Sequence, residues 1–146
     1  MLTNGWGAFA FTAAVRARVL ELLFDGRERA ASNLDTAMTT REQFGASERP
    51  KIETAPPRDA MSRYVGTYDN ASLGRVVVRL DGDRAIFDAG EWRSALGRRI
   101  EPDGTVKLVM LDAPWAYFEL VTSEVNGRPR LTIERPQMRY VFEPRP

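Results

Sequence analysis

From Tyr64 onward the chain breaks into eight short β-runs, each closed by a turn signal, with no second helix-period segment among them. The runs are residues 67–70, 74–80, 84–88, 92–96, 105–111, 115–122, 130–135 and 138–143. Between them stand Asp81-Gly82, Gly90, Asp103-Gly104, Asp112-Ala113-Pro114, Asn126-Gly127 and Pro136-Gln137. Asp-Gly and Asn-Gly supply the positive φ that tight hairpins need. Connections this short cannot carry parallel crossovers, so the pattern predicts an antiparallel meander. Eight such strands lose their exposed edges by closing on themselves. The predicted fold is mainly β, an up-and-down barrel preceded by one or two N-terminal helices.

The turns can be tested against one another. Taking Asp81-Gly82 as a two-residue turn sets Val78 opposite Ala85 and Val76 opposite Phe87. Asp112–Pro114, as a three-residue loop, sets Leu108 opposite Phe118 and Val106 opposite Leu120. Asn126-Gly127 puts Phe118, Leu120 and Thr122 on the face of Leu131 and Ile133. Pro136-Gln137 sets Ile133 opposite Tyr140 and Leu131 opposite Phe142. All four registers agree on one apolar interior: Val76, Val78, Leu80, Phe87, Val106, Leu108, Met110, Phe118, Leu120, Leu131, Ile133, Tyr140 and Phe142. Turns that were free to disagree therefore specify one core. Phe87, Phe118, Tyr140 and Phe142 are the interior residues best placed to meet a ligand, if the barrel holds one. The register around Arg98–Thr105 stays open.

Two features belong to the outside. The same registers align Lys107, Glu119, Glu134 and Arg139 in one row, expected to be a solvated ion-pair ladder rather than a carboxylate pair tuned for proton transfer. Beside it lie Val109, Leu111, Trp115 and Tyr117. Apolar side chains clustered on an outer wall cover a helix or meet a partner.

The first third has another character. Residues 8–24 have helical period, with Phe11, Val15, Val19, Leu22 and Leu23 on one face and Gly26 placed as a C-terminal cap. Residues 28–44 form a second helical run carrying Ala30, Leu34, Ala37, Met38 and Phe44. Residues 45–59 hold three prolines and no periodicity, which is linker composition. A helical turn around residues 60–65 leads into or plugs the barrel. The predicted organisation is therefore residues 1–44, a linker 45–59 and a barrel 60–146. A helix as apolar as the first needs a surface to cover, so Phe11, Val15 and Val19 join the candidate docking surface.

Composition narrows the chemistry. The 146 residues contain no histidine and no cysteine, which removes imidazole and thiolate metal ligands and the Ser-His and Cys-His nucleophile pairs. No metal site and no cofactor is expected. A formal net charge of +1 gives no electrostatic case for nucleic acid or an anionic membrane. No apolar run approaches the roughly 20 residues of a membrane span. The apolar opening lacks a basic n-region, so no signal peptide is expected and the compartment is left unassigned.

Several local patterns resemble the C-terminal end of serine hydrolases of the β-lactamase and penicillin-binding-protein-like group. Leu2-Thr3-Asn4-Gly5 with Val19-Leu20-Glu21-Leu22-Leu23-Phe24-Asp25-Gly26 looks like the last strand and closing helix of their catalytic domain. Tyr64-Val65-Gly66-Thr67-Tyr68, then residues 74–80, Asp81-Gly82 and Gly90-Glu91-Trp92, is similar to the lipocalin-like barrel appended to many of them. The family's Ser-x-x-Lys box is missing, since no serine here has lysine three residues on, and so is its Lys/His-Thr/Ser-Gly element. Tyr68-Asp69-Asn70 matches the family's Tyr-x-Asn spelling, whose tyrosine assists proton transfer, but it sits in the first barrel strand with no nucleophile to serve. No catalytic residue carries over.

The resemblance thus implies a noncatalytic accessory barrel with a remnant of the catalytic domain. Its partner would be a β-lactamase-like catalytic domain or a second copy, and its roles docking, oligomerisation or control of substrate access. The alternative is a small apolar-ligand carrier of lipocalin type. An independent enzyme is the weakest reading.

Overall fold

A computed structural model of the chain describes residues 8–24, 26–136 and 138–145. The chain divides into two compact units with the boundary between Pro50 and Lys51. The expected strand end at Leu2–Gly5 lies outside the described residues.

The first unit is a helical hairpin, α1 (Ala8–Leu23) and α2 (Ala30–Glu48). Gly26 N–H returns to the Glu21 carbonyl at 3.0 Å, closing α1 where the glycine cap is expected. No side chain of α2's own sequence caps its N-terminus. Glu21 of α1 does so instead, one carboxylate oxygen accepting from Arg29 N and Ala30 N at 2.7 Å each. Carboxylate charge at a helix N-terminus also opposes the macrodipole favourably. Arg18 holds Glu21 at 3.2 Å and Glu28 at 2.9 Å, completing the clasp.

α2 runs four residues beyond its expected end at Phe44, through the start of the segment read as linker. A 3-10 turn at Arg49–Lys51 follows, where Pro50 cannot extend the α-helical hydrogen bonding. Ile52 is then buried, and Glu53 forms an isolated antiparallel bridge with Arg98. Of the expected linker, Thr54 and Ala55 are exposed and Pro56 is buried before α3 (Arg58–Ser62) begins.

The second unit is a closed eight-stranded antiparallel barrel in up-and-down order. Its strands are β1 (Gly66–Asn70), β2 (Gly74–Asp81), β3 (Arg84–Asp88), β4 (Arg93–Ile100), β5 (Val106–Met110), β6 (Glu119–Val125), β7 (Arg128–Arg135) and β8 (Met138–Pro144). β1 and β8 close the ring through Tyr68↔Pro144 and Asp69↔Glu143. The predicted fold class is the observed one.

The two C-terminal hairpins keep the expected registers, with Thr122↔Leu131, Leu131↔Phe142 and Ile133↔Tyr140. Asn126 (φ 52°) and Gly127 (φ 73°) make the left-handed turn that Asn-Gly announces. Two registers are corrected. Val78 faces Phe87 and Leu80 faces Ala85, because the turn falls on Gly82-Asp83, with Gly82 at φ 57°, rather than on Asp81-Gly82. Leu108 faces Leu120, not Phe118, because the connection after β5 is longer than three residues and β6 begins only at Glu119.

Both corrections are slips of two residues. A strand's side chains alternate with period two, so the inward set is unchanged. Every residue of the expected interior lies in the core cluster or packs against it, and Met61, Tyr64, Tyr68, Ala85 and Leu96 join them. The cluster draws a buried side chain from all eight strands. The open stretch between Arg98 and Thr105 is a hairpin, with Ile100↔Val106 its last pair and Gly104 at φ 84° in its turn.

One barrel end is closed by α3, which packs on β3, sends Met61 into the core and bonds Gly82 O through Arg58. At the other end the rings form a chain. Phe142 meets Phe87 at 6.1 Å, Phe87 meets Trp92 at 5.3 Å, Trp92 meets Trp115 at 5.6 Å and Trp115 meets Phe118 at 5.5 Å. Arg135 caps this chain with its guanidinium 4.6 Å from the Phe118 ring centre.

Candidate docking surfaces

The barrel-wall patch predicted from sequence separates into a covered part and an inward-turned part. Leu96 faces the core, so its neighbour Gly97 faces out, and Gly97 pairs with Val109. Val109 is nevertheless 1% exposed. Ile52 lies directly over Gly97: a Cβ at that position would stand 2.8 Å from Ile52 Cγ2 and 3.0 Å from both Glu53 O and Leu111 Cδ2. Val109 and Leu111 therefore belong to a wall face that the chain's own segment already overlies.

Trp115 turns toward the barrel end instead. It is half-buried against the core, between Trp92 and Phe118. The reason lies in the connection from β5 to β6. Ser94 Oγ accepts hydrogen bonds from Leu111 N and Asp112 N, at 3.1 Å each, and donates to Ala95 O. The Asp112 carboxylate accepts from Ala95 N at 2.7 Å. These bonds pin the start of the loop to β4. Tyr117, half-buried, takes the left-handed conformation (φ 68°), uncommon for an aromatic residue, while its N–H bonds Met110 O at 2.8 Å. The Ser94 hydroxyl proton is committed to a carbonyl, so this buried serine is a fastener of the loop.

Of the four interior aromatics singled out from sequence, Phe87, Phe118 and Phe142 are buried in the core cluster and Tyr140 is half-buried against it. Tyr68, Phe87, Phe142, Leu108, Met110, Leu120 and Leu131 are among the largest fully buried side chains. Side chains of this volume fill the middle of an eight-stranded barrel, as small barrels commonly do.

The expected row Lys107, Glu119, Glu134, Arg139 is rearranged. Lys107 faces Val121, and Glu119 faces Val109, so the ion pair between Lys107 and Glu119 at 3.3 Å is diagonal. The ladder's other members are Arg99, which pairs with Glu119, and Glu101, which lies 2.8 Å from Lys107 and 2.9 Å from Arg99. Lys107 holds the Glu101 carboxyl below the usual carboxylate range, and Glu101 in turn raises the Lys107 ammonium. Two cations and two anions thus balance on the wall, and Glu101 and Lys107 keep their charges through neutral pH. Glu134 sits apart, exposed, 4.0 Å from its register partner Arg139.

Each member of Tyr68-Asp69-Asn70 has structural partners. The Tyr68 hydroxyl, fully buried, donates to Tyr64 O at 2.7 Å, and burial pushes its pKa up to about 12. Asp69 pairs with Arg75 at 3.2 Å and Arg145 at 3.6 Å. Asn70 donates to Val141 O and accepts from Ser72 N and Leu73 N in an Asx turn.

The helical hairpin shows the opposite of a filled core. Its two helices pack on each other, yet the residues they bury best are small, Ala14 and Ala30. Large apolar side chains of α1 and its end stay in solvent: Phe9 at 85% exposed, Phe24 at 75%, Leu23 at 69% and Leu22 at 66%. Of the residues predicted for docking, Phe11 and Val19 are exposed and Val15 is half-buried. The sequence reading named too few, because it assigned one apolar face to a helix that is apolar on several.

Ile52 and Gly97 were missed altogether. Signals for both exist in the sequence: a β-branched Ile-x-Thr in an otherwise proline-rich stretch, and a glycine inside a strand, which marks close approach of another backbone. No described helix is long and apolar enough to cross a membrane. Among the described residues no group of three or more acidic side chains is placed to hold a metal ion. Comparison with known proteins finds no matching family model, curated protein or solved structure.

Proposed function

We propose that this chain is a noncatalytic accessory module of a β-lactamase-like serine hydrolase, which docks through its helical hairpin onto the catalytic domain or onto a second copy of itself. The observation that carries this reading is the exposure of Phe9, Leu22, Leu23 and Phe24 on a hairpin that buries alanines. Unpaired apolar area of this kind marks an interaction surface. The resemblance of the sequence to the C-terminal part of such hydrolases supplies the partner class. The lack of a Ser-x-x-Lys box and of histidine and cysteine supports the noncatalytic role.

The test is sedimentation velocity on the isolated chain across about 1–100 μM, beside Leu22→Ser/Leu23→Ser. Burying an exposed leucine contributes roughly 1.5–3 kcal/mol, and in a symmetric dimer each substitution counts twice. The double variant should weaken self-association by at least about a thousandfold. A chain that stays monomeric throughout, and that binds no catalytic domain of this class added in trans, would sink the proposal.

The carrier reading has less support. Its best feature is the half-buried Trp92–Trp115 pair at one barrel end, whereas the side chains packed along the interior leave that reading little else to rest on.

A further inference from the structure

We propose that residues 51–55 form a releasable latch that sets the length of tether between the two compact units, seated in an outer groove keyed by Gly97. The seat is specific. β3 begins only at Arg84, and its pairing with β4 stops at Ala85↔Leu96 while β4 continues to Ile100, so β4 beyond Leu96 has no neighbour on that side from the barrel's own ladder. Glu53 occupies the vacancy: its N–H donates to Arg98 O at 2.8 Å and its carbonyl accepts from Arg98 N at 3.0 Å. Its carboxylate takes Arg98 Nε and Nη2 at 2.9 and 2.7 Å, a two-pronged ion pair. Ile52 fills the space that a side chain at residue 97 would need. The groove therefore reads a β-branched apolar residue followed by an acid, in the manner of strand addition at a sheet edge.

The same inventory explains why the latch releases. Its contacts with the barrel wall are an isolated bridge and ion pair from Glu53 and the buried Ile52 side chain, while Thr54 and Ala55 are exposed. Segments held by few buried contacts open locally without unfolding the rest. The next anchors are the buried Pro56 and then Met61 in the core. Releasing five residues adds up to about 17 Å of reach to the connection. Docked, residues 51–55 belong to the barrel wall; undocked, they are a short free linker.

Trypsin reads this directly, because Lys51-Ile52 is a cleavable bond in the strap and the preceding Arg49-Pro50 bond is resistant. In the full chain, cleavage after Lys51 should be slow. In Ile52→Ser/Glu53→Ser, which leaves the barrel wall intact, it should accelerate at least about tenfold with the barrel's melting temperature unchanged within a few degrees. Gly97→Val tests the seat from the other side and should give the same acceleration. Amide exchange should find Glu53 and Arg98 N–H protected, yet exchanging on the order of a hundredfold faster than Leu108 and Leu120. Because the chain has no cysteine, Glu53→Cys/Arg98→Cys on oxidation should give a disulfide within one chain. Equal cleavage in wild type and variants would overturn the latch, as would exchange at Glu53 as slow as the barrel's. An inter-chain disulfide would overturn it too.

Discussion

Tyr68 separates a structural tyrosine from a proton-transfer tyrosine by the sign of its pKa shift. A tyrosine that assists proton transfer near neutral pH needs its phenolate made accessible, whereas burial here pushes Tyr68 up to about 12. In Tyr68→Phe the ring packing is kept and one hydrogen bond is lost, leaving the buried carbonyl of Tyr64 without the partner it has at 2.7 Å. Such an orphaned acceptor costs about 1–2 kcal/mol at pH 7, or roughly 4–8 °C of melting temperature per kcal/mol in a unit of this size. The pH dependence follows from the raised value. Below pH 10 Tyr68 is neutral folded and unfolded, so its contribution is complete. Between about 10 and 12 the unfolded chain releases the proton first, and the contribution is lost as pH rises. The assay is urea unfolding followed by far-ultraviolet circular dichroism at pH 7 to 11.5, wild type against variant. A variant as stable as wild type at pH 7, or a stability gap that stays flat above pH 10, would refute this account of Tyr68.

Two further predictions use other parts of the molecule. Phe87→Ala empties the position between Trp92 and Phe142 and should cost about 3–5 kcal/mol, with a red shift of tryptophan emission, as seen by denaturant titration; a loss under about 1 kcal/mol would mean the core is not packed as described. The Arg29 N–H is the chief cause that holds the Glu21 carboxyl below the usual range, so the clasp is complete above that range and is lost as pH falls through the lowered value. Helical circular dichroism of wild type should therefore drop on acidification more than that of Glu21→Gln, which should start lower and change less; parallel curves would show that Glu21 does not cap α2.

How much of this was legible in the sequence depends on the length scale of the cause. Asn126-Gly127 fixes its own backbone, so the β6–β7 register follows from two residues. Asp81-Gly82-Asp83 admits either two-residue turn, and nothing local decides which, but parity kept Val76, Val78 and Phe87 inward either way. The loop after Met110 escaped because its path is set by bonds from Ser94 and Ala95 of β4 to Asp112 of the loop, across 17 or 18 residues of chain. That same fastening turns Trp115 inward, which made it look like wall from its position alone. The seat at Gly97 needs Ile52, some 45 residues away, and only the folded chain brings them together. The exposure of Phe11 and Val19 on α1 was legible because the apolar pattern of one helix is a local property, whereas Phe9 and Phe24 fell outside the single face read from it.

The closing pair of strands has a practical consequence. With Asp69 opposite Glu143 and Tyr68 opposite Pro144, the barrel's polypeptide enters and leaves at one point of its rim. A barrel whose first and last strands adjoin can be joined to another protein at that one place without stretching either partner. In that sense the barrel is a cassette: any host needs only one attachment point on its surface, and the barrel's own hydrogen bonding asks nothing of the host.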